Sequence, residues 1–166
     1  MKTINLFALI IASSLWVACG SDGDGDGDGG SPSGNSMSAT VTGDITASFS
    51  ASGEVQGQQL VQANLTNGNV LSIVASEGTG NSISMSITDY DGAGSYSLEI
   101  TSANTMTFTS VDTETFATTG VTAVSGSINI TVSGDVINGT FDFDGEGSND
   151  ITASVTGEFS VTPNAQ

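Results

Sequence analysis

The chain reads as an all-β protein, an antiparallel β-sandwich of about nine or ten strands with a meander β-barrel as the alternative arrangement. Three observations point there. From Met37 onward Ser, Thr, Gly, Val and Ile dominate. Apolar residues recur with period two, and no long helical periodicity appears. Gly-Asp and Asn-Gly pairs punctuate the apolar runs where turns are needed.

The elements follow in order. Met37, Ala39 and Val41 alternate with Ser and Thr, Gly43-Asp44 offers a turn, and Ile45, Ala47 and Phe49 return as a first hairpin. Leu60 to Leu65 and Val70 to Ala75 flank Thr66-Asn67-Gly68-Asn69, where the Asn-Gly pair favours a turn with positive backbone angles. Ile83, Met85 and Ile87 form the next inward row. Beyond the loop Asp89-Tyr90-Asp91-Gly92-Ala93-Gly94, short strands are expected over Ser95 to Ile100 and Thr105 to Thr109, and 112–120 is the least regular stretch. Ile128, Ile130 and Val132 then alternate with Asn129 and Thr131, Gly134-Asp135 turns, and Val136 to Asp144 returns with Phe141 and Phe143 on one face. A last long strand carries Ile151, Ala153, Val155, Phe159 and Val161, with Gly157 marking close packing or a bend.

Such strands, each with one apolar face, must stack or close to bury it. Core rows rich in Ala and Val suit two closely packed sheets better than a wide barrel, hence the preference for a sandwich. Val41-Thr42-Gly43-Asp44, Val132-Ser133-Gly134-Asp135 and Val155-Thr156-Gly157-Glu158 echo one another. Their irregular spacing marks repeated turn chemistry, not a solenoid repeat.

Three regions precede or form this domain: a signal at 1–18, a linker at 19–36 and the β domain at 37–166. Lys2, the apolar run Leu6 to Val17 and the small Ala18 have the parts of a secretory signal, too short to span a bilayer. Cys19 follows, the only cysteine. Cleavage just before a cysteine resembles the bacterial lipoprotein signal, which implies lipidation of Cys19. The segment departs from that pattern in placing Trp16, and not a leucine, three residues before the cysteine. Acylation would also remove an unpaired thiol from an oxidising compartment.

Ser21 and the aspartates at 22, 24, 26 and 28 resemble the acidic tether of surface-exposed lipoproteins of Bacteroidetes-type bacteria. That resemblance implies an outer-membrane, cell-surface location, with the periplasmic face as the alternative. Alternating Gly and Asp cannot bury a core, so 20–36 reads as an extended spacer on either view.

Charge prunes the functions. The chain has 18 Asp and Glu, one basic residue and no histidine, for a net charge of −17. The one basic residue is Lys2, within the signal. Such a surface repels phosphate backbones, so no nucleic-acid partner is expected, and membrane contact falls to the lipid anchor. Without His, Lys or Arg there is no Ser-His-Asp triad, imidazole zinc site, Schiff base or cationic clamp. Paired-carboxylate chemistry alone survives, and the domain is expected not to be an enzyme.

The order "MSATVTG", "GAGSYSL", "SGSINITVSGDVINGTFDF" and "ITASVTGEFSV" resembles a family of small Bacteroidetes-type lipoproteins of unknown function. It implies one β domain on a lipid anchor and carries no catalytic residues.

One constellation could hold a metal. Asp142, Asp144, Glu146 and Asp150 surround a glycine-containing run, and calcium prefers several oxygen ligands. Ala153 stands where an EF-hand would place its bidentate glutamate. The competing reading puts Asp142 and Asp144 on the solvent face, alternating with two core phenylalanines. Asp89, Asp91 and Gly92 form a lesser candidate. No other cofactor is implied.

Four functional expectations remain. The first is a lipid-tethered, non-catalytic binding or structural module with a cationic or carbohydrate surface partner. The second is a carbohydrate- or small-ligand-binding lipoprotein, which turns on whether Tyr90 and Tyr96 share an exposed groove. A calcium-stabilised adhesin-like domain and a carboxylate-only glycosidase complete the set.

Overall fold

In the computed structural model, residues 34–66, 69–112 and 114–165 are described. Cys19, the 20–33 part of the linker and the Asn67-Gly68 pair therefore lie outside the described residues.

The strands are β1 (Ser36–Gly43), β2 (Ala47–Ser52), β3 (Glu54–Val55), β4 (Gln58–Gln59), β5 (Val61–Thr66), β6 (Val70–Ser76) and β7 (Ser82–Ile87). They continue as β8 (Gly94–Ser97), β9 (Thr105–Val111), β10 (Thr118–Ser133), β11 (Val136–Glu146), β12 (Thr152–Val161) and β13 (Asn164–Ala165). All but the small β3–β4 hairpin belong to one sheet, in the order β13-β5-β6-β7-β9-β10-β11-β12-β1-β2, with β8 added to β10. Every pairing is antiparallel except β13 on β5.

The protein is thus all-β and antiparallel, and its continuous sheet rolls into a nearly closed barrel, the meander alternative. The two-sheet arrangement gives way because β1 sits between β2 and β12, so the β1–β12 ladder links the N-terminal hairpin to the C-terminal strands in one continuous surface. The seam lies between β2 and β5. There β13, continuing from β12, pairs with the free edge of β5. Asn35 donates to the Val61 carbonyl (3.1 Å) and accepts from the Thr162 N–H (2.8 Å). Across the seam, the Glu77 carboxylate accepts from the Ser50 N–H of the edge strand, from Thr79 Oγ1 (2.9 Å) and from Asn81 Nδ2 (3.0 Å).

The inward rows fill the interior. Met37, Ala39 and Val41, then Phe49 and Ala51, Leu71, Ile73 and Ala75, and Ile83, Met85 and Ile87 are all buried, following the alternation in the sequence. No charged or polar residue among those described is buried, so the acids lie outside. Two cross-strand pairs are reciprocal: Gly139 faces Phe159, and Phe141 faces Gly157. A methyl group at Gly139 would enter the Phe159 ring, and one at Gly157 would enter both the Ser38 carbonyl oxygen and the Phe141 ring. Of the two expectations for Gly157, close packing or a bend, these contacts show the close packing.

Three expectations change. The strand expected from Ser95 ends at Ser97, because the chain turns at 99–102 and Ser102 Oγ and Asn104 Nδ2 take the Ser97 carbonyl at 2.9 and 3.0 Å. Residues 118–120, placed in the irregular stretch, open a strand of 16 residues. Its alternation is broken by a bulge between Ala123 and Ser125. Val121 and Ala123 face inward before it and Ile128 and Ile130 after it, so the extra residue switches the parity. Val132 keeps the inward parity of Ile130 but stands at the rim, 45% exposed.

Candidate functional site

The acids expected to bind calcium are spread out. Asp142, Asp144 and Glu146 occupy successive outward positions of β11, each about 7 Å from the next along an extended strand. Asp142 accepts from Ser127 Oγ at 3.2 Å and Asp144 from Ser154 Oγ at 2.5 Å, both across neighbouring strands. Asp150 lies beyond them in the turn Ser148–Asp150, where Asn149 and Asp150 adopt positive φ and the Gly147 N–H bonds the Ile151 carbonyl at 2.8 Å. The EF-hand-like run is therefore strand as far as Glu146. Among the described residues no group of three or more acids converges as a metal site. Alternation with Phe141 and Phe143 is the reason, since it turns every second side chain to solvent on a nearly straight strand.

The loop 89–93 is more organised. Tyr90 packs on Tyr96 with ring centroids 5.9 Å apart and planes inclined by 27°. The Tyr96 hydroxyl shares its proton between Asp91 Oδ1 (2.9 Å) and the Gly92 carbonyl (2.8 Å) and accepts from the Asp91 N–H (3.3 Å). The Tyr90 N–H donates to the Asn69 carbonyl at 2.7 Å, tying the loop to the β5–β6 turn. Asp89 adopts positive φ, a conformation Asp tolerates in turns. The two rings stack on each other, with Tyr90 only 8% exposed. They do not form the open platform on which a sugar ring stacks.

Burial, and then the nearby Asp91 charge, raise the Tyr90 phenol above the ordinary tyrosine value of 10.0. Tyr96 is raised too, by burial first and then by its hydrogen bond to Asp91. Folding thus favours both protonated phenols. The stability they contribute is present below the unfolded value and is lost as pH rises through the folded values. Titration by tyrosinate absorbance should give midpoints above that of the unfolded chain, with the melting temperature falling above about pH 10.

A cleft of about 600 Å³ opens beside this loop, between Leu65, Tyr90, Val132, Ile137 and Pro163, with Asp91 and Asp135 also lining it. The Gly134-Asp135 turn positions one wall. It joins Ser133 to Val136 in two residues, and Gly134 supplies the positive φ of 60°. Val132 and Ile137, a directly opposed pair, follow on either side.

A second groove, of about 650 Å³, crosses the outer faces of β2, β1, β12, β11 and β10. Hydroxyls and amides such as Ser50, Ser38, Asn138 and Thr131 line it with one carboxylate, Glu158. Sequence reasoning singled out Asp91 and the two tyrosines. It missed Leu65, Val132, Asp135 and Pro163 as one site, because they come from three separate segments, β5, the β10–β11 hairpin and the stretch after β12.

A family model described as a domain of unknown function, DUF6252, matches residues 52–163. No curated protein and no solved structure matches the chain.

Proposed function

The chain belongs to the DUF6252 family, and on that premise we propose that it is a lipid-anchored bacterial envelope protein whose β domain is a non-catalytic binding module. The observation that carries this reading is the junction at Cys19, where an apolar run with small Ala18 at its end meets a Gly/Asp tether. The anchor belongs to the outer membrane, with the domain displayed at the cell surface by the 20–36 spacer. The outer faces of the rolled sheet carry the acids, and these favour cationic partners over nucleic acid or anionic lipid.

The non-catalytic reading rests on the side chains at the clefts. Paired-carboxylate catalysis uses one acid kept protonated by apolar surroundings. Asp91 and Asp135 are both exposed to solvent, and the outer groove holds Glu158 as its carboxylate.

Cys19→Ser should move the protein from the membrane fraction to the soluble fraction and abolish incorporation of labelled fatty acid. Retained labelling would overturn the anchor. Protease treatment of intact cells separates the cell surface from the periplasmic face. A Glu-specific protease is required, since trypsin has no Lys or Arg to cut beyond Lys2.

A further inference from the structure

Tyr90 is buried to more than nine-tenths, yet its hydroxyl has no hydrogen-bond partner among the described residues, in contrast to the saturated hydroxyl of Tyr96. Every fully enclosed side-chain polar atom among the described residues is bonded. The Tyr90 hydroxyl is therefore open to solvent, and its residue lines the cleft beside the 89–93 loop. Water meets this hydroxyl in the free protein, and an acceptor group on an entering ligand can take that water's place. Because its phenol stays protonated at neutral pH, it offers a proton to whatever enters.

The rest of the lining defines the entrant. Leu65, Val132, Ile137 and Pro163 present apolar surface, and Val132 is an inward-parity residue left 45% exposed at the rim. Asp91 and Asp135 add two carboxylates to the same cleft. No Lys, Arg or His occurs after Lys2 to neutralise them. A neutral ligand covering this recess would strip water from the carboxylates without replacing it, a net cost. A positively charged ligand compensates that loss. The volume lies in the range of small-molecule sites.

We propose that this cleft binds a small organic cation, its ammonium-type group met by Asp91 and Asp135, its apolar or aromatic body against Leu65, Val132, Ile137 and Pro163, and an acceptor group bonded by the Tyr90 hydroxyl. The assignment deepens the binding-module reading and rests on it, while the anchor test at Cys19 does not touch the cleft. A cation that fails to bind overturns the cleft assignment and leaves membrane attachment standing.

The test is calorimetric titration of the purified full-length chain with tyramine, an aromatic ammonium ion that also carries an oxygen. The expected result is saturable binding that weakens with added salt. Asp135→Asn and Asp91→Asn should each weaken it by about tenfold, and Tyr90→Phe by several-fold to about tenfold. Tyr90→Phe should leave the ligand-free melting temperature unchanged, since the hydroxyl it removes has no protein partner. Asp91→Asn alters the Tyr96 contact, so Asp135→Asn is the variant that reads charge without disturbing the loop. Absence of saturable binding, equal binding of the neutral analogue 4-(2-hydroxyethyl)phenol, or affinity unchanged in Asp135→Asn would each overturn the proposal.

Discussion

Gly157→Ala should cost about 3 kcal/mol of folding stability, and removing the ring it faces should not restore the loss. A β-carbon at Gly157 enters the Ser38 carbonyl oxygen and the side chain of Ala39 as well as the Phe141 ring. The carbonyl belongs to β1, which is paired to β12 along eight residue positions, so it cannot withdraw without disturbing that ladder. The gain from restricting the unfolded chain offsets only about 0.4–1 kcal/mol. Gly139 gives the contrasting case. Its main obstacle is the Phe159 ring, with the Asn129 carbonyl oxygen a lesser one at 3.1 Å that needs a shift of a few tenths of an ångström.

Gly139→Ala should therefore cost about 1–3 kcal/mol and Phe159→Ala about 3–5 kcal/mol. The double variant should lose less than their sum, because the methyl occupies space the ring has left. Chemical denaturation of the four proteins of each cycle decides it. Strong coupling at Gly139/Phe159 with near-additivity at Gly157/Phe141 is expected, and equal coupling in both cycles would show that the reciprocal packing is misread.

Releasing the seam should have the second large effect. Asn35→Ala combined with Glu77→Ala removes the side-chain bonds to Val61 and Thr162 on one flank and to Ser50 on the other. The loss should be about 3 kcal/mol, counting about 1–2 for each tie. The local consequence is more telling than the total. β2 is an edge strand of the sheet, and the Glu77 carboxylate covers its Ser50 N–H. Without it the edge offers unpaired groups to another chain. Amide exchange should accelerate at Ser50 and Thr162 ahead of the core strands, and the double variant should associate with rising concentration. Unchanged exchange at both amides would mean that the barrel is held elsewhere.

Much of the fold is legible residue by residue. Met37, Ala39 and Val41, or Ile137, Phe141 and Phe143, announce their inward faces because a strand's side chains alternate and water is excluded from one side only. The same rule places Asp142 and Asp144 outside at successive outward positions, which is why they do not converge with Glu146. Other elements leave little trace. β3 and β4 are exposed pairs of residues with no buried face to pattern them. The first half of β10 is hidden by the bulge at Val124, which reverses the alternation on which a reading of the strand depends. The cleft is scattered over Leu65, Tyr90, Asp91, Val132, Asp135, Ile137 and Pro163, and no local signal ties these positions together.

Local chemistry in the chain was sufficient for the inward rows of most strands, the Gly134-Asp135 turn, and the expectations of a non-catalytic domain and of an anchor at Cys19, since each depends on neighbouring residues or on composition alone. Closure into one rolled sheet, the burial of Tyr90 beside an open cleft and the separation of the acids depend on contacts between distant segments. The β1–β12 ladder and the Asn35 bonds to Val61 and Thr162 are the decisive ones. Such contacts form only when bringing remote strands together recovers more free energy, through burial and pairing, than ordering the chain between them costs.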